Sequence, residues 1–573
     1  MSSVLGKSES KRGFRATGSL PLDLLLLVIS AVAMWASFPA LSIWPLMIPS
    51  LALLVFVIDR VGPLRAGLYA VFWAMVFLMP HISWMQIATD GTILAWIALA
   101  GAQAFFIGLW GSSFSALGTW RWSRTVWGEV LGGALLWVTF EELRSRVPFG
   151  GFPWGKLAYP QVDSPMIIYA PVGGEVLVSF LVMAAAILLR RALALREPLA
   201  PSPWGRLGAL GVAALIAFGP VFFRLPNTQQ EGSVSIAAVQ GNVEVPASET
   251  FSVPGKVTGN HLAETLRLLE SEPRPQIVFW GENSTDLDPR YFGETKGIVE
   301  KASDAAEVPL VIGIMERDGD VRYNWVGVWY PKEGSHEAGF AAETLYGKQR
   351  PVPWGEYIPF RALTLKLATA AAQIQVDMVP VDNPGYMEVE LNDGSILPIA
   401  VGICFEVAYE PIIAEGVRMG GQLIYIPTNN VHFDDSAESL QQLQMLQFRA
   451  AEFSRSAVQV STNGASGIAR PDGSLLASTP MQVAAHLQAE VPLRSTITLA
   501  ARLGESLSWV VIFGGGALAL ASVGAHIYGR SLVKAQKNQV KRKETAKTKL
   551  NLAKSNQKGS AARGKRSASS AKK

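Results

Sequence analysis

Of the 573 residues only 17% are charged, against about 25% in an ordinary soluble protein. That shortfall argues against a wholly soluble enzyme, and the apolar content that replaces charge excludes a chain disordered throughout. Cysteine is scarcer still. Cys404 is the single one, which excludes an intramolecular disulfide and with it a disulfide-stapled secreted scaffold. What is present instead is apolar: 49% of the residues are hydrophobic and the mean hydropathy is +0.25. The net charge of +4 conceals blocks of unlike sign. Residues 530–573 hold fifteen Lys/Arg and one acid, Glu544, whereas residues 231–494 hold 18 basic and 34 acidic side chains. The alkaline pI of about 8.9 therefore belongs to the tail. It is no sign of nucleic-acid binding by the folded body, and no nucleic-acid motif is present.

A helix crossing a bilayer takes about 20 apolar residues. Seven such runs precede residue 225, at about 20–38, 41–58, 66–84, 92–118, 126–143, 167–189 and 207–223, and an eighth covers about 507–528. The first run reads as a retained span, because a second follows at once and no small-residue cleavage motif ends it. Twelve of the seventeen tryptophans fall before residue 225, many near run ends, as in an interfacial belt. Lys7, Lys11, Arg12 and Arg15 precede the first run, and Arg60, Arg65, Arg121, Arg124, Arg190, Arg191, Arg196 and Arg206 crowd alternate loops. The positive-inside rule then predicts a cytoplasmic N-terminus (1–19), a seven-span region (20–224) and residues 231–494 on the outer face. An eighth span (505–529) returns the basic tail (530–573) to the cytoplasm. The tail's composition cannot bury a core, so disorder is expected there, with attraction to anionic lipid as the sharper use of its charge.

Between 231 and 494, short β-branched and aromatic runs alternate with helical patterns. Strands are expected at Ser233–Val239, Gln276–Trp280, Pro309–Ile314, Asn324–Tyr330, Leu397–Ile403, Gln422–Ile426 and Ala457–Thr462. Helices are expected at His261–Leu269 and Ser439–Phe453. The alternation predicts an α/β domain, long enough to bury its own core. Glu282, Lys348 and Cys404 each stand where an extended run gives way to polar sequence. Glu406–Met419 reads as a helix, setting Cys404 at a strand-to-helix elbow where the helix dipole would lower the thiol pKa. A lone cysteine is most often a buried small hydrophobe. As a nucleophile it needs a base and an oxyanion partner. Of the six histidines only His432 is near in sequence, so a Glu–Lys–Cys assembly is the better fit.

At these residues the chain resembles the nitrilase superfamily. The matching segments are Gln240-Gly241-Asn242, Trp280-Gly281-Glu282, Tyr346-Gly347-Lys348, Gly402-Ile403-Cys404-Phe405-Glu406, Pro427-Thr428-Asn429-Asn430, Arg449-Ala450-Ala451-Glu452 and Thr462-Asn463-Gly464. Coupled to the apolar runs, they resemble its membrane branch, the apolipoprotein N-acyltransferase family. Phe149-Gly150-Gly151-Phe152-Pro153-Trp154-Gly155 and Val352-Pro353-Trp354-Gly355-Glu356-Tyr357-Ile358-Pro359 resemble it too. Any one motif is weak; their order together with the span count is specific.

The resemblance implies a multi-span α-helical domain in the bacterial cytoplasmic membrane, carrying an α-β-β-α sandwich on its outer face. It implies Glu282 as general base, Lys348 as oxyanion stabiliser and Cys404 as nucleophile, with no metal or cofactor. Glu356 and Glu406 are implied as supporting carboxylates, and Trp354 and Phe405 as substrate-side residues. Family members commonly have Tyr at the position of Phe405, and a Trp where the nearest aromatic here is Phe251. The implied reaction moves an acyl chain from a membrane phospholipid, through a thioester, to the α-amine of a diacylglyceryl-cysteine at a lipoprotein N-terminus. Phe360–Met378 and His432–Gln444 are expected to be mobile apolar loops shielding that thioester from water. A monomer is expected. Two rival readings are a membrane-tethered amidase using water, and a scaffold whose tail docks a cytoplasmic glycosyltransferase, a polyprenol-phosphate mannose synthase.

Overall fold

The computed structural model describes residues 19–89, 91–120, 122–193, 202–243, 253–334, 336–367 and 374–569. The basic segment up to residue 18, Phe251 and residues 368–373 lie outside them. Helices occupy all eight apolar runs. Local chemistry sets their starts: Ser19, Thr125 and Ser202 side chains accept from the backbone N–H of Leu22, Gly128 and Gly205. Pro21, Pro63 and Pro203 stand in first turns, where no helical partner exists for the missing N–H.

By length and composition, five helical stretches are apolar enough to cross a membrane: Pro63–His81, Ile93–Leu117, Pro165–Ala192, Pro203–Phe222 and Glu505–Lys554. Leu20–Trp35 and Trp44–Ile58 are apolar but shorter. The remaining one, Val126–Arg144, ends in Glu141, Glu142 and Arg144, all buried against protein. Pro63–His81 and Ile93–Leu117 pack closely because Gly67, Gly108 and Gly111 leave no room for a Cβ at their crossing.

Residues 233–492 form two sheets face to face. In the seven-stranded sheet the order is Ala485–Pro492, Ser233–Gln240, Ile277–Trp280, Leu310–Asp318, Val321–Tyr330 and Gly339–Gly347, with Asp377–Met378 also paired to Val321–Tyr330. In the six-stranded sheet it is Leu475–Ser478, Gly467–Ala469, Ser456–Ser461, Leu423–Thr428, Ile396–Val401 and Tyr386–Glu390. Strands central to each sheet are parallel. They are buried on both faces, which is why they read as continuous apolar runs. Ile236, Phe279, Val328, Val401, Tyr425 and Val458 share the core between the sheets.

Helices Lys256–Ser271 and Gly293–Ala306 cover the outer face of the first sheet through Leu268, Val299 and Ala302. Helices Glu410–Arg418 and Glu438–Phe453 cover the second. Their Ile412, Ile413, Leu446 and Phe448 join one core with Leu27, Trp73 and Met183 of the apolar helices. The layers are thus α-β-β-α, with one helical layer also packed on the apolar bundle.

One expectation is corrected. The stretch after Cys404 is not one helix. A 3-10 turn, Cys404–Ala408, gives way to extended Tyr409 and only then to Glu410–Arg418. Pro411 has no N–H with which to continue a helix from Val407. Glu505–Ser569 is one helix of 65 residues, roughly 100 Å long. Lys, Ala, Gln and Arg are good helix formers, and a helix already nucleated by an apolar segment extends readily. Its side chains from 534 to 554 are exposed.

Candidate active site

Glu282, Lys348 and Cys404 leave three different strands and meet at one end of the sandwich. Glu282 follows Ile277–Trp280, Lys348 follows Gly339–Gly347 and Cys404 follows Ile396–Val401; all three are buried. Lys348 Nζ donates to Glu282 Oε1 at 3.1 Å and to Glu356 Oε1 at 2.6 Å. Asn324 Nδ2 donates to the same Glu282 oxygen at 2.6 Å. Glu356 Oε2 accepts from Val352 N at 2.7 Å, so this loop folds round its own carboxylate.

Cys404 has φ of +56°, in the left-handed region where a side chain is strained and persists only if its surroundings over-determine it. Glu406 supplies that constraint. Its Oε2 accepts from Ile403 N at 2.7 Å and Tyr346 OH at 2.8 Å. Its Oε1 accepts from Gln349 N at 2.7 Å and Arg350 N at 2.8 Å. One carboxylate fastens the elbow to the strand end that carries Lys348.

The electrostatics overturn the expected low-pKa thiol. Burial raises the Cys404 thiol well above its ordinary range, and Glu282 adds to that, while Lys348 pulls the other way. No α-helix begins at the sulfur, and the groups near it are mainly carboxylates. Burial lowers the Lys348 pKa, but Glu282 and Glu356 outweigh it and hold the ammonium charged. Burial likewise raises Glu282, against the pull of Lys348. A neutral thiol, a charged lysine and a carboxylate raised towards the range of a working base therefore share one dry site.

The other expected residues divide. Glu356 touches Lys348 directly, whereas Glu406 acts through the backbone it ties. Phe405 is buried with its ring stacked on Trp154 at 5.8 Å and on Phe152 at 6.1 Å. Trp354 is exposed and meets Phe149 edge-on at 5.1 Å, with Phe360 against Phe149 at 5.7 Å. His432 is exposed on a turn. Within the expected loop His432–Gln444, residues from Glu438 onward begin a buried helix, because Ser439, Gln441 and Gln442 find hydrogen-bond partners inside the protein. Arg361–Leu367, within the other expected loop, is helical.

Sequence reasoning missed Asn324, Glu438 and Gln442; Asn430 lay within a quoted segment without a role. Amide side chains carry no spacing signal of their own. Among the described residues no cluster of three or more His, Cys, Asp or Glu is placed to hold a metal ion.

The site is tied to the apolar helices by buried polar contacts. Gln441 Oε1 accepts from Trp84 Nε1 at 3.2 Å and Trp154 Nε1 at 2.6 Å. Arg449 donates to the carbonyls of Val407 at 3.0 Å and Ala408 at 3.1 Å, in the turn that starts at Cys404. The same guanidinium pairs with Glu175 at 2.9 Å and Glu452 at 2.5 Å. Glu175 also pairs with Lys156 at 2.5 Å, and Lys156 with Glu142 at 2.6 Å. Gly174, at φ +59°, is where the Glu452 carboxylate comes in; a Cβ there would collide with it.

An α-β-β-α sandwich with Glu, Lys and Cys at converging strand ends is a nitrilase-type domain, and residues 276–501 match the carbon-nitrogen hydrolase family. Residues 30–188 match the apolipoprotein N-acyltransferase N-terminal domain. Apolipoprotein N-acyltransferase of Mycolicibacterium smegmatis is 31% identical over 524 residues, covering 86% of this chain and 84% of that protein. The Azotobacter vinelandii protein of that name is 30% identical over 487 residues, covering 82% and 89%. A solved amidase from Nesterenkonia sp. is 12% identical and covers 50% of this chain and 96% of its own, at a TM-score of 0.34. This chain belongs to the apolipoprotein N-acyltransferase family.

Proposed function

We propose that this protein transfers an acyl chain from a membrane phospholipid to the α-amine of a diacylglyceryl-cysteine at a lipoprotein N-terminus. The observation that carries the reading is a buried Glu–Lys–Cys site whose supporting helices share a core with the apolar bundle. Glu282 takes the Cys404 proton, and the thiolate adds to the ester carbonyl. Lys348 stabilises the oxyanion, a contact typically worth about 3–4 kcal/mol. The lysophospholipid oxygen leaves with the proton held by Glu282. The amine then adds to the thioester carbonyl, its proton passes to Glu282, and the C–S bond breaks to give amide and thiol. Glu356 keeps Lys348 charged while Glu282 cycles.

The loop charges support a cytoplasmic N-terminus and tail with residues 231–494 outside. A monomeric state, and docking of a cytoplasmic glycosyltransferase on the exposed basic helix, belong to the same proposal. Protease cleavage of the tail in inside-out vesicles alone tests the orientation. Pull-down with residues 530–573 tests the docking, and no enriched glycosyltransferase would count against it.

Incubation with phospholipid alone should give a hydroxylamine-sensitive mass addition on the peptide containing Cys404. Adding a diacylated lipopeptide should convert that adduct to an amide. Release of free fatty acid instead would favour the amidase reading. N-acylation that survives Cys404→Ala, with no adduct on the wild type, would sink the thioester route.

A further inference from the structure

We propose that Gln442 is a further catalytic residue, the amide donor that stabilises the Cys404 sulfur whenever it becomes anionic. Gln442 is fully buried on helix Glu438–Phe453, and its Nε2 donates to Cys404 Sγ at 3.5 Å. Which end of the amide faces the sulfur is decided by its neighbour. Asn430 Nδ2 donates to Gln442 Oε1 at 3.0 Å, leaving Nε2 for the sulfur. Asn430 is oriented in turn. Its Oδ1 accepts from Thr428 Oγ1 at 3.1 Å and Ser461 Oγ at 2.6 Å, and its Nδ2 also reaches Glu438 Oε2 at 2.7 Å. With Glu438 ionised, an amide oxygen between two hydroxyls and a nitrogen facing a carboxylate and a carbonyl form the satisfied orientation. A chain of buried side chains thus aims a single N–H at the nucleophile.

The surroundings explain the need for it. Glu282, Glu438 and Glu356 all disfavour a negative sulfur, and Lys348 favours it. Lys348 is already engaged by two carboxylates. Among the described residues, Gln442 is the hydrogen-bond donor that reaches Sγ. A donor binds an anion more strongly than it binds a thiol or a thioester. Gln442 therefore acts twice: once after Glu282 has taken the thiol proton, and again when the C–S electron pair returns to sulfur under amine attack.

The inference rests on the Cys404 chemistry proposed above, but alkylation of the thiol needs no acyl donor and so tests it separately. The full-length protein in nanodiscs is titrated with iodoacetamide across pH. Gln442→Met fills the space without a donor, and Gln442→Asn withdraws the amide by one methylene. Both should move the alkylation midpoint upward, with labelling at neutral pH slowed on the order of tenfold to a hundredfold in Gln442→Met and less in Gln442→Asn. Labelling after denaturation should be complete in both. A profile superimposing on the wild type, in either variant with a native thermal midpoint, overturns the proposal. If Gln442→Met fails to insert, Gln442→Asn decides. Absence of a phospholipid adduct on the wild type would instead overturn the acyl-transfer reading and leave the alkylation result standing.

Discussion

Lys348 and Lys156 are buried to the same degree, and each lies between two glutamates at salt-bridge distance. What differs is how the charges around them are answered. At Lys156, Glu142 also pairs with Arg146, and Glu175 with Arg449 and the Tyr159 hydroxyl. Every carboxylate there has a cation, and among the described residues no nucleophile is present. At Lys348, one cation serves two carboxylates beside a buried thiol. A buried lysine held between glutamates is therefore a clamp by default, and becomes chemical equipment where its shell is left short of positive charge.

Exchanging each lysine for Met is the harshest way to break that comparison. Lys348→Met should leave Glu282 and Glu356 without a cation and lower the thermal midpoint, and per folded molecule should slow thioester formation by about a hundredfold to a thousandfold, read by rapid-quench mass spectrometry. Lys156→Met should take one of two cations from each of two buried carboxylates that Arg146 and Arg449 still answer, and lower the thermal midpoint by less than Lys348→Met does. Its acylation rate per folded molecule should stay within a few-fold of wild type. A catalytic defect at unchanged stability would erase the distinction between the two sites.

Glu356→Gln comes next in size. Loss of a charged hydrogen bond of about 1.5–3 kcal/mol should slow acylation by roughly ten- to a hundredfold. The thiol should remain alkylatable. Wild-type turnover in a normally inserted variant would make Glu356 an ordinary loop acid.

A pH series sharpens the comparison further. Burial raises Glu410 to about 8, with Glu452 adding to it, and burial raises Glu452 to about 7. In the window from the ordinary carboxyl range up to these values the folded state binds more protons than the unfolded one. Stability should therefore fall as pH rises through that window and level off above it. Glu438, raised by burial to about 8, adds to the same slope at the catalytic site. Glu410→Gln should flatten part of the slope in thermal midpoint between pH 5 and 8; a variant with the wild-type slope would contradict the assignment.

The smallest effect is expected from the tail. Deleting residues from Lys537 onward removes helix whose side chains are exposed through Lys554, and acylation per molecule should change by less than about twofold. Loss of activity in a stably inserted truncation would show that the tail reaches the site in some way.

Much of this was legible in advance, for identifiable reasons. Parallel strands buried on both faces, such as Ile277–Trp280 and Leu423–Thr428, announce themselves as unbroken apolar runs. The residues at their ends inherit that visibility, which is how Glu282 and Cys404 stood out. The antiparallel edge Gly467–Ala469 and Leu475–Ser478 was not read, because three- and four-residue strands are too short to show a period. Gln442 was invisible because its role depends on Asn430 turning its amide. The α-helix after Cys404 starts later than the apolar pattern suggests, because Pro411 stands in the first turn of Glu410–Arg418, and burial then dominates the state of the thiol.

Arg449 gives the molecule an order of construction. Its guanidinium bridges the turn that begins at Cys404 to Glu175, which lies 274 positions before Arg449 itself. Glu175 leaves the ribosome first, the cysteine later and Arg449 last. A half-made chain therefore already carries the thiol, but the turn that aims it is unbraced until the later helix folds back against the earlier bundle. The order of synthesis thus leaves the Cys404 turn to be braced late, after the apolar bundle is made.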